Sequence, residues 1–222
     1  MNVSHVLVKV SHLSKAVETF RSLGFVVEYG REKDPYNALI YFSKGPYLEL
    51  LANTGMPSLA KKGFRILGKG RLVDRLDGMD HHAPGPCDLA LENYRKDLKQ
   101  ERDLLKRQGI ALYEMNAKRT DPKGRTLGFR VGFPEALELP FFMTYFDLDP
   151  KPKNFVHPNG VERIQTVEFG IPESLRPLLE ALCTDPTLRL TSGKGVGRIS
   201  LLRAPGTNAG RSDLAPELLS SL

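Results

Sequence analysis

The hexapeptide at residues 5–10, His-Val-Leu-Val-Lys-Val, constrains the fold more than any other segment of the chain. Its three valines occupy alternate positions, while His5, Leu7 and Lys9 occupy the positions between them. A period of two places successive side chains on opposite faces of a strand. The pattern therefore predicts a strand whose valine face packs on a core.

The segment that follows has the order helix, strand, strand, strand. Apolar spacing over residues 14–23 predicts a helix, and Gly24 is suited to the position after its last turn. Runs rich in β-branched and aromatic residues predict strands at 25–29, 37–42 and 47–51. This order describes one βαβββ module.

Two polar residues of this module fall on the same face of the predicted sheet. If the valines of the first strand and Leu48 of the fourth pack under the helix, His5 and Glu49 lie on the opposite, concave face. We therefore expect their side chains to approach each other.

The same order of elements returns downstream, at about residues 87–145, and in a shorter form after residue 163. Repeats of this kind predict stacked units of one supersecondary type. The predicted fold is α+β, with tandem βαβββ modules forming a curved mixed sheet and a third, partial module. The predicted segments are a first module at 1–55, a connector at 56–86, a second module at 87–147, a third module at 148–206 and a C-terminal tail at 207–222.

Four segments resemble the vicinal-oxygen-chelate superfamily, and within it the glyoxalase-like domain proteins, which include bleomycin-resistance-like proteins. They are residues 5–6, 47–50, 139–142 and 157–160. The resemblance extends from the first residue to about residue 206. It implies the tandem-module fold, and it leaves the activity open because one scaffold hosts several chemistries.

The resemblance also implies where a metal ion would bind. In the superfamily, ligands come from the first and fourth strands of each module, which here match His5 and Glu49. Superposing the second module places Asp88 opposite His5 and Met143 opposite Glu49. Histidine and carboxylate suit a divalent ion such as Zn, Ni, Mn or Fe, whereas Met143 does not replace a carboxylate. The alternative is that His5 is hydrogen-bonded at a strand end and that Glu49 pairs with Lys9 or Arg130.

Other residues are candidates for catalysis or substrate binding. His157, in a His-Pro-Asn-Gly turn, either acts as an acid–base group over the site or only anchors the loop. Lys9 and Arg130 are candidates for holding an anionic group of a ligand. Phe141 and Tyr145 alternate along a strand and either line the site or pack in the core.

Composition limits the classes of partner. The chain has 222 residues and a formal net charge of +6. Its basic residues alternate with acidic ones and lack the interleaved aromatics of nucleic-acid grooves, so no nucleic-acid partner is predicted. No apolar stretch reaches the length of a membrane span. Two cysteines without CxxC spacing and an N-terminus without signal-peptide features predict a cytoplasmic protein.

Two functions remain open. One is a glyoxalase-like enzyme, of lyase, isomerase or dioxygenase type, that acts on a small anionic organic molecule in the concave face. The other is a metal-free protein that binds or sequesters a small molecule between aromatic walls. The sequence also leaves a homodimer open.

Overall fold

The computed structural model describes residues 1–205, 211–215 and 218–219. The first module consists of β1 (Asn2–Lys9), α1 (Leu13–Ser22), β2 (Glu28–Tyr29), β3 (Asn37–Ile40) and β4 (Tyr47–Leu51). The connector forms two helices, α2 (Ser58–Ile66) and α3 (Gly70–Asp80). The second module consists of β5 (Gly85–Asn93), α4 (Lys99–Arg107), β6 (Leu112–Thr120), β7 (Thr126–Pro134) and β8 (Phe141–Thr144).

The two modules share one sheet. Its eight strands, counted over the described residues, have the order β2-β3-β4-β1-β5-β8-β7-β6. In each module the first strand runs parallel to the fourth, β1 beside β4 and β5 beside β8. The two first strands meet antiparallel at the centre. This arrangement confirms the predicted α+β fold of tandem βαβββ modules in a mixed sheet.

The third, partial module has a different strand order. It consists of β9 (Val161–Gly170), α5 (Arg176–Leu182), β10 (Leu188–Thr191), β11 (Gly195–Arg203) and β12 (Arg211–Asp213). Within the described ranges its sheet has the order β10-β9-β11-β12. The parallel partner of β9 is β10, the strand that directly follows the helix, and not a fourth strand. The predicted boundary at residues 206 and 207 lies outside the described residues.

The convex face of the large sheet carries the main core. Val6 and Val8 are fully buried there, as the alternation in β1 predicts. The same apolar cluster contains Leu89 from β5 and Ile164 and Val167 from β9. The third module thus packs on the convex face, and the concave face of the two-module sheet is left for other contacts.

The side chain of Asn93 shapes the segment between β5 and α4. Asn93 is suited to cap a helix, but β5 continues through it and α4 begins at Lys99. Asn93 accepts a hydrogen bond from the amide of Arg95 and donates one to the carbonyl of Asp97. Its side chain therefore stabilises a turn, which is the alternative use of the same hydrogen-bonding groups. None of the described helices is long and apolar enough to span a membrane.

Candidate functional site

A cavity of about 280 Å³ lies on the concave face of the large sheet. This volume is near the lower end for ligand pockets, which hold roughly 300–1,000 Å³. Its walls include six Phe and Tyr side chains: Tyr36, Tyr47, Phe129, Phe133, Phe141 and Phe146. Its polar lining includes His5, Asn37, Glu49, Lys118 and Arg119. The cavity therefore combines apolar walls with a few polar groups.

His5 and Glu49 meet in the wall of this cavity. The distance from His5 Nε2 to Glu49 Oε2 is 3.5 Å, which confirms that the two side chains approach each other. The carboxamide of Asn37 donates a hydrogen bond of 2.8 Å to Glu49 Oε1. Both residues come from the positions that the alternating pattern places on the concave face.

Burial shifts the pKa values of both groups towards their neutral forms. It lowers the pKa of His5 to about 3, and the positive charges of Lys151 and Arg119 act in the same direction. It raises the pKa of Glu49, against the opposing effects of the Asn37 hydrogen bond and the Arg119 charge. The imidazole is thus uncharged at neutral pH and can donate or accept a hydrogen bond, and the carboxyl group of Glu49 is protonated more readily than an ordinary one.

Aromatic rings hold the His5 imidazole in place. It stacks on Tyr47, with ring centroids 4.6 Å apart, and it meets the ring of Phe141 edge-on, with centroids 5.6 Å apart. Phe141 also stacks on Phe133. Phe141 thus lines the cavity, which is one of the two positions that the sequence leaves open for it.

Arg119 is a cavity residue that the sequence does not single out. It lies on β6, donates a hydrogen bond to the hydroxyl of Tyr41, and places its guanidinium over the ring of Phe146. Its Nε is buried and has no hydrogen-bond partner among the described residues. One donor of this permanently charged group is therefore unpaired among the described residues. The alternation of β6 places Arg119 on one face, but only the curl of the sheet brings that face to His5.

The structure corrects the predicted position of Asp88. His5 pairs with Tyr47, and in the second module it is Ala90 that pairs with the matching Phe141. Asp88 lies two residues earlier and is held by Arg75, at 2.8 Å from its Nε. The match of Met143 to Glu49 agrees with the register. Leu7, two residues after His5, pairs with Glu49, and Glu92, two residues after Ala90, pairs with Met143. The second module therefore presents alanine and methionine at the two matching places.

The donor set does not fit the divalent ion that the superfamily implies. His5 and Glu49 supply two donors, and the third candidate, Asp88, is neutralised by Arg75. In the part of the chain that the structure describes, no group of three His, Cys, Asp or Glu side chains is placed to hold a metal. A stable site for such an ion ordinarily needs three or more protein ligands.

Two predicted anion-binding residues lie away from the cavity lining. Lys9 is buried and donates a hydrogen bond to the carbonyl of Ala52. Arg130 lies 3.6 Å from Glu114, on the face of β7 opposite the lining residues Phe129 and Val131. Their positions do not support a contact with a ligand in this cavity.

Tyr145 and His157 also lie elsewhere. The Tyr145 hydroxyl donates to Asp149. His157 is only 2 % exposed and is surrounded by three phenylalanines, Phe25, Phe42 and Phe155. Its Nδ1 accepts a hydrogen bond from the amide of Val26, and burial lowers its pKa to about 4. His157 therefore anchors the start of the third module to the first, the second of its two sequence interpretations.

The connector contributes to the site as well. Leu76 and Met79, both on α3, line the cavity. They pack with Leu7 and Phe141 in a second apolar cluster on the concave face. The connector thus returns over the sheet and closes one side of the cavity.

A curled sheet of paired βαβββ modules around a small-molecule cavity is the architecture of the vicinal-oxygen-chelate class. The chain belongs to the glyoxalase-like domain family, whose model matches residues 3–183. No curated protein sequence matches it.

A hypothetical protein from Staphylococcus aureus has a similar fold, with a TM-score of 0.62 at 13% identity, over 92% of both chains. At this identity the likeness concerns the fold alone. A weaker similarity links the chain to methylmalonyl-CoA epimerase from Streptomyces coelicolor, in complex with 2-nitronate-propionyl-CoA, with a TM-score of 0.40 at 15% identity, over 65% of this chain and 95% of the epimerase.

Proposed function

We propose that this protein is a glyoxalase-like enzyme that moves a proton on a small organic anion bound in the concave cavity. The observation that carries the proposal is the buried His5–Glu49 contact of 3.5 Å in the cavity wall. A carboxyl group whose pKa is raised by burial is suited to take and return protons near neutral pH.

Glu49 is the group that transfers the proton in this proposal. Its carboxyl group lines the cavity, and Asn37 fixes the orientation of the carboxyl plane. His5 Nε2 lies 3.5 Å from Glu49 Oε2, and a shift of a few tenths of an ångström lets it accept a hydrogen bond from the protonated carboxyl group. Pairs of this kind cluster at active sites, because burial and a specific partner tune the pKa of the catalytic group.

Arg119 is the group that binds the anion. Among the described residues no carboxylate forms an ion pair with Arg119, whose hydrogen bond goes to the uncharged hydroxyl of Tyr41. A guanidinium group matches the geometry of a carboxylate or phosphate. The aromatic walls enclose the apolar part of the ligand and exclude water, which strengthens the charge contact.

Of the three reaction types that the sequence leaves open, isomerisation and elimination fit this site best. Both need a base, a conjugate acid and a group that binds the anion. A dioxygenase would need a redox metal, and the donors around His5 do not fit one.

Exchange of carbon-bound hydrogen tests the proposal without knowledge of the product. We expect the protein to catalyse deuterium incorporation from D₂O into a small carboxylate whose C–H is acidified by a neighbouring carbonyl, with NMR as the readout across a panel of such compounds. Replacing Glu49 with glutamine removes the base and is expected to slow exchange by about 10²–10⁴-fold.

Glu114→Gln is the matched control. Glu114 lies on the same sheet, but it pairs with Arg102 and Arg130 and does not line the cavity. Exchange at the wild-type rate in Glu49→Gln would contradict the proposed role of the carboxyl group.

A second variant tests the anion contact. Arg119→Gln is expected to weaken binding of the carboxylates in this panel by about 1.5–3 kcal/mol, because a charge-assisted hydrogen bond is lost. Arg130→Gln makes the same change of charge on the face away from the cavity and is expected to leave affinity unchanged. Ligand-observed NMR titrations measure both, and equal losses in the two variants would assign the effect to net charge alone.

The alternative is a binding protein that sequesters its ligand. The enclosed aromatic walls around Tyr47, Phe129 and Phe141 favour this function. Saturable binding that depends on Arg119, without exchange of any ligand in the panel, would support it. Cytoplasmic location, a homodimer and the lack of a nucleic-acid partner stay predictions.

A further inference from the structure

Behind His5, on the side of the ring away from Glu49, lies a second pair of buried polar residues. Ser4 Oγ is 2.6 Å from Glu92 Oε2 and 3.1 Å from His5 Nδ1. Ser4 is completely buried and Glu92 is 1 % exposed. With His5, Glu49 and Asn37, these residues form one continuous series of polar contacts through the sheet.

An irregularity in the sheet brings Ser4 beside His5. In the ladder between β1 and β5, Val3 pairs with Leu91 and His5 pairs with Ala90, so Ser4 is the extra residue in β1. A bulge of this kind changes the direction in which a side chain points, and it is common next to active sites. Ser4 consequently contacts both Glu92 and Met143 Sδ.

The donors around Glu92 determine the direction of these hydrogen bonds. Burial and the charge of Asp149 raise the pKa of Glu92, whereas Lys151, whose Nζ lies 3.9 Å from Oε1, and the hydroxyls of Ser4 and Tyr94 favour the carboxylate form. A separation of 2.6 Å is typical of a hydroxyl donating to a carboxylate. The ion pair with Lys151 and this short contact assign the carboxylate form to Glu92. The single hydroxyl proton of Ser4 is then directed at Glu92, and Ser4 Oγ accepts from His5.

We propose that Ser4 and Glu92 are positioning residues that hold His5 in the tautomer with its proton on Nδ1. The lone pair of Nε2 then faces Glu49, where it accepts a hydrogen bond from the protonated carboxyl group and favours that form. The opposite tautomer would donate from Nε2 and favour the carboxylate. The effect on catalysis rests on the proposed function, whereas the tautomer itself does not.

The tautomer can be measured without substrate. In ¹⁵N-labelled protein at pH 7, long-range ¹H–¹⁵N spectra distinguish the protonated from the unprotonated ring nitrogen, and the missing signals of His5→Gln assign the ring. We expect wild-type His5 to carry its proton on Nδ1. A proton on Nε2 in the wild type would overturn the proposal, and this result does not depend on any variant folding.

Three variants separate positioning from packing. Ser4→Ala removes the acceptor for Nδ1–H, and Glu92→Leu frees the Ser4 hydroxyl to donate to Nδ1. Both are expected to shift His5 towards the Nε2–H tautomer, whereas Ser4→Thr keeps the hydroxyl and the wild-type tautomer. Ser43→Ala, in which the lost hydroxyl binds the carbonyl of Phe155, is the control. An unchanged tautomer in both Ser4→Ala and Glu92→Leu would refute the role of the pair.

If the tautomer is as expected but no exchange occurs, the positioning stands and the proposed enzymatic function fails. If exchange occurs with the proton on Nε2, the positioning fails and the function stands. The two proposals are therefore tested separately.

Discussion

Replacing Arg75 with methionine is expected to lower the free energy of unfolding by about 3–5 kcal/mol, because it leaves a buried carboxylate without its cation. The guanidinium of Arg75 contacts both oxygens of Asp88, at 2.8 and 3.1 Å, and also donates to the carbonyl of Leu139. Both side chains are more than nine-tenths buried. Urea unfolding at neutral pH measures the loss.

A double variant shows whether the loss comes from the unpaired charge. Asp88→Asn keeps an oxygen for the amide of Leu89, which now donates to Asp88 Oδ1 at 2.7 Å. Combined with Arg75→Met it removes both charges and is expected to recover most of the lost stability. Arg176→Met breaks the ion pair with the exposed Glu173 and should cost less than about 1 kcal/mol. A comparably small loss in Arg75→Met would mean that Asp88 does not depend on Arg75.

Each buried histidine is expected to contribute a loss of stability in mild acid. Burial lowers the pKa of His5 to about 3 and that of His157 to about 4, from an ordinary value of 6.5. Below pH 6.5 these two side chains bind protons in the unfolded chain and not in the folded chain, so their contribution to the free energy of unfolding falls as the pH falls. The raised pKa values of Glu49 and Glu92 act in the opposite direction, so a comparison between variants isolates the contribution of a histidine. Each histidine is expected to cost about 2 kcal/mol by pH 5.

The pH window identifies the groups. The loss begins near pH 6.5 and continues until the pH reaches the folded-state pKa values, near 4 for His157 and 3 for His5. His157→Gln keeps an acceptor for the amide of Val26 and is expected to remove about 1.4 kcal/mol per pH unit from the loss between pH 6.5 and 5. His82→Gln, at an exposed position, is the control. A pH dependence of stability in His157→Gln that equals that of the wild type would contradict the assignment.

Local patterns were sufficient for the elements and for one half of the candidate site. The alternation in residues 5–10 predicts both the strand and the face on which His5 lies, because side chains in a strand alternate strictly. The fourth strand at 47–51 places Glu49 on the same face by the same rule. The contact between them then depends on the parallel pairing of β1 and β4.

The other half of the site depends on register between distant strands. A comparison by sequence alone places Asp88 opposite His5, whereas the ladder places Ala90 there, because a shift of two residues keeps the same face and changes every partner. Arg130 and Arg119 differ in the face of the sheet on which they lie. Both lie on strands of the second module, but the alternation of each strand turns only Arg119 towards the cavity.

What the sequence by itself determined is therefore the order of elements, the two faces of each strand and the family of the fold. The first two depend on neighbouring residues and on a fixed period of two or of 3.6, and the family follows from the resemblance of short segments. Only the tertiary structure decided the place of Arg119 in the cavity, the partner of Asp88, the core position of His157 and the bulge that brings Ser4 to His5. Each of these depends on which residues of separate strands come together when the sheet curls, and no local period encodes that register.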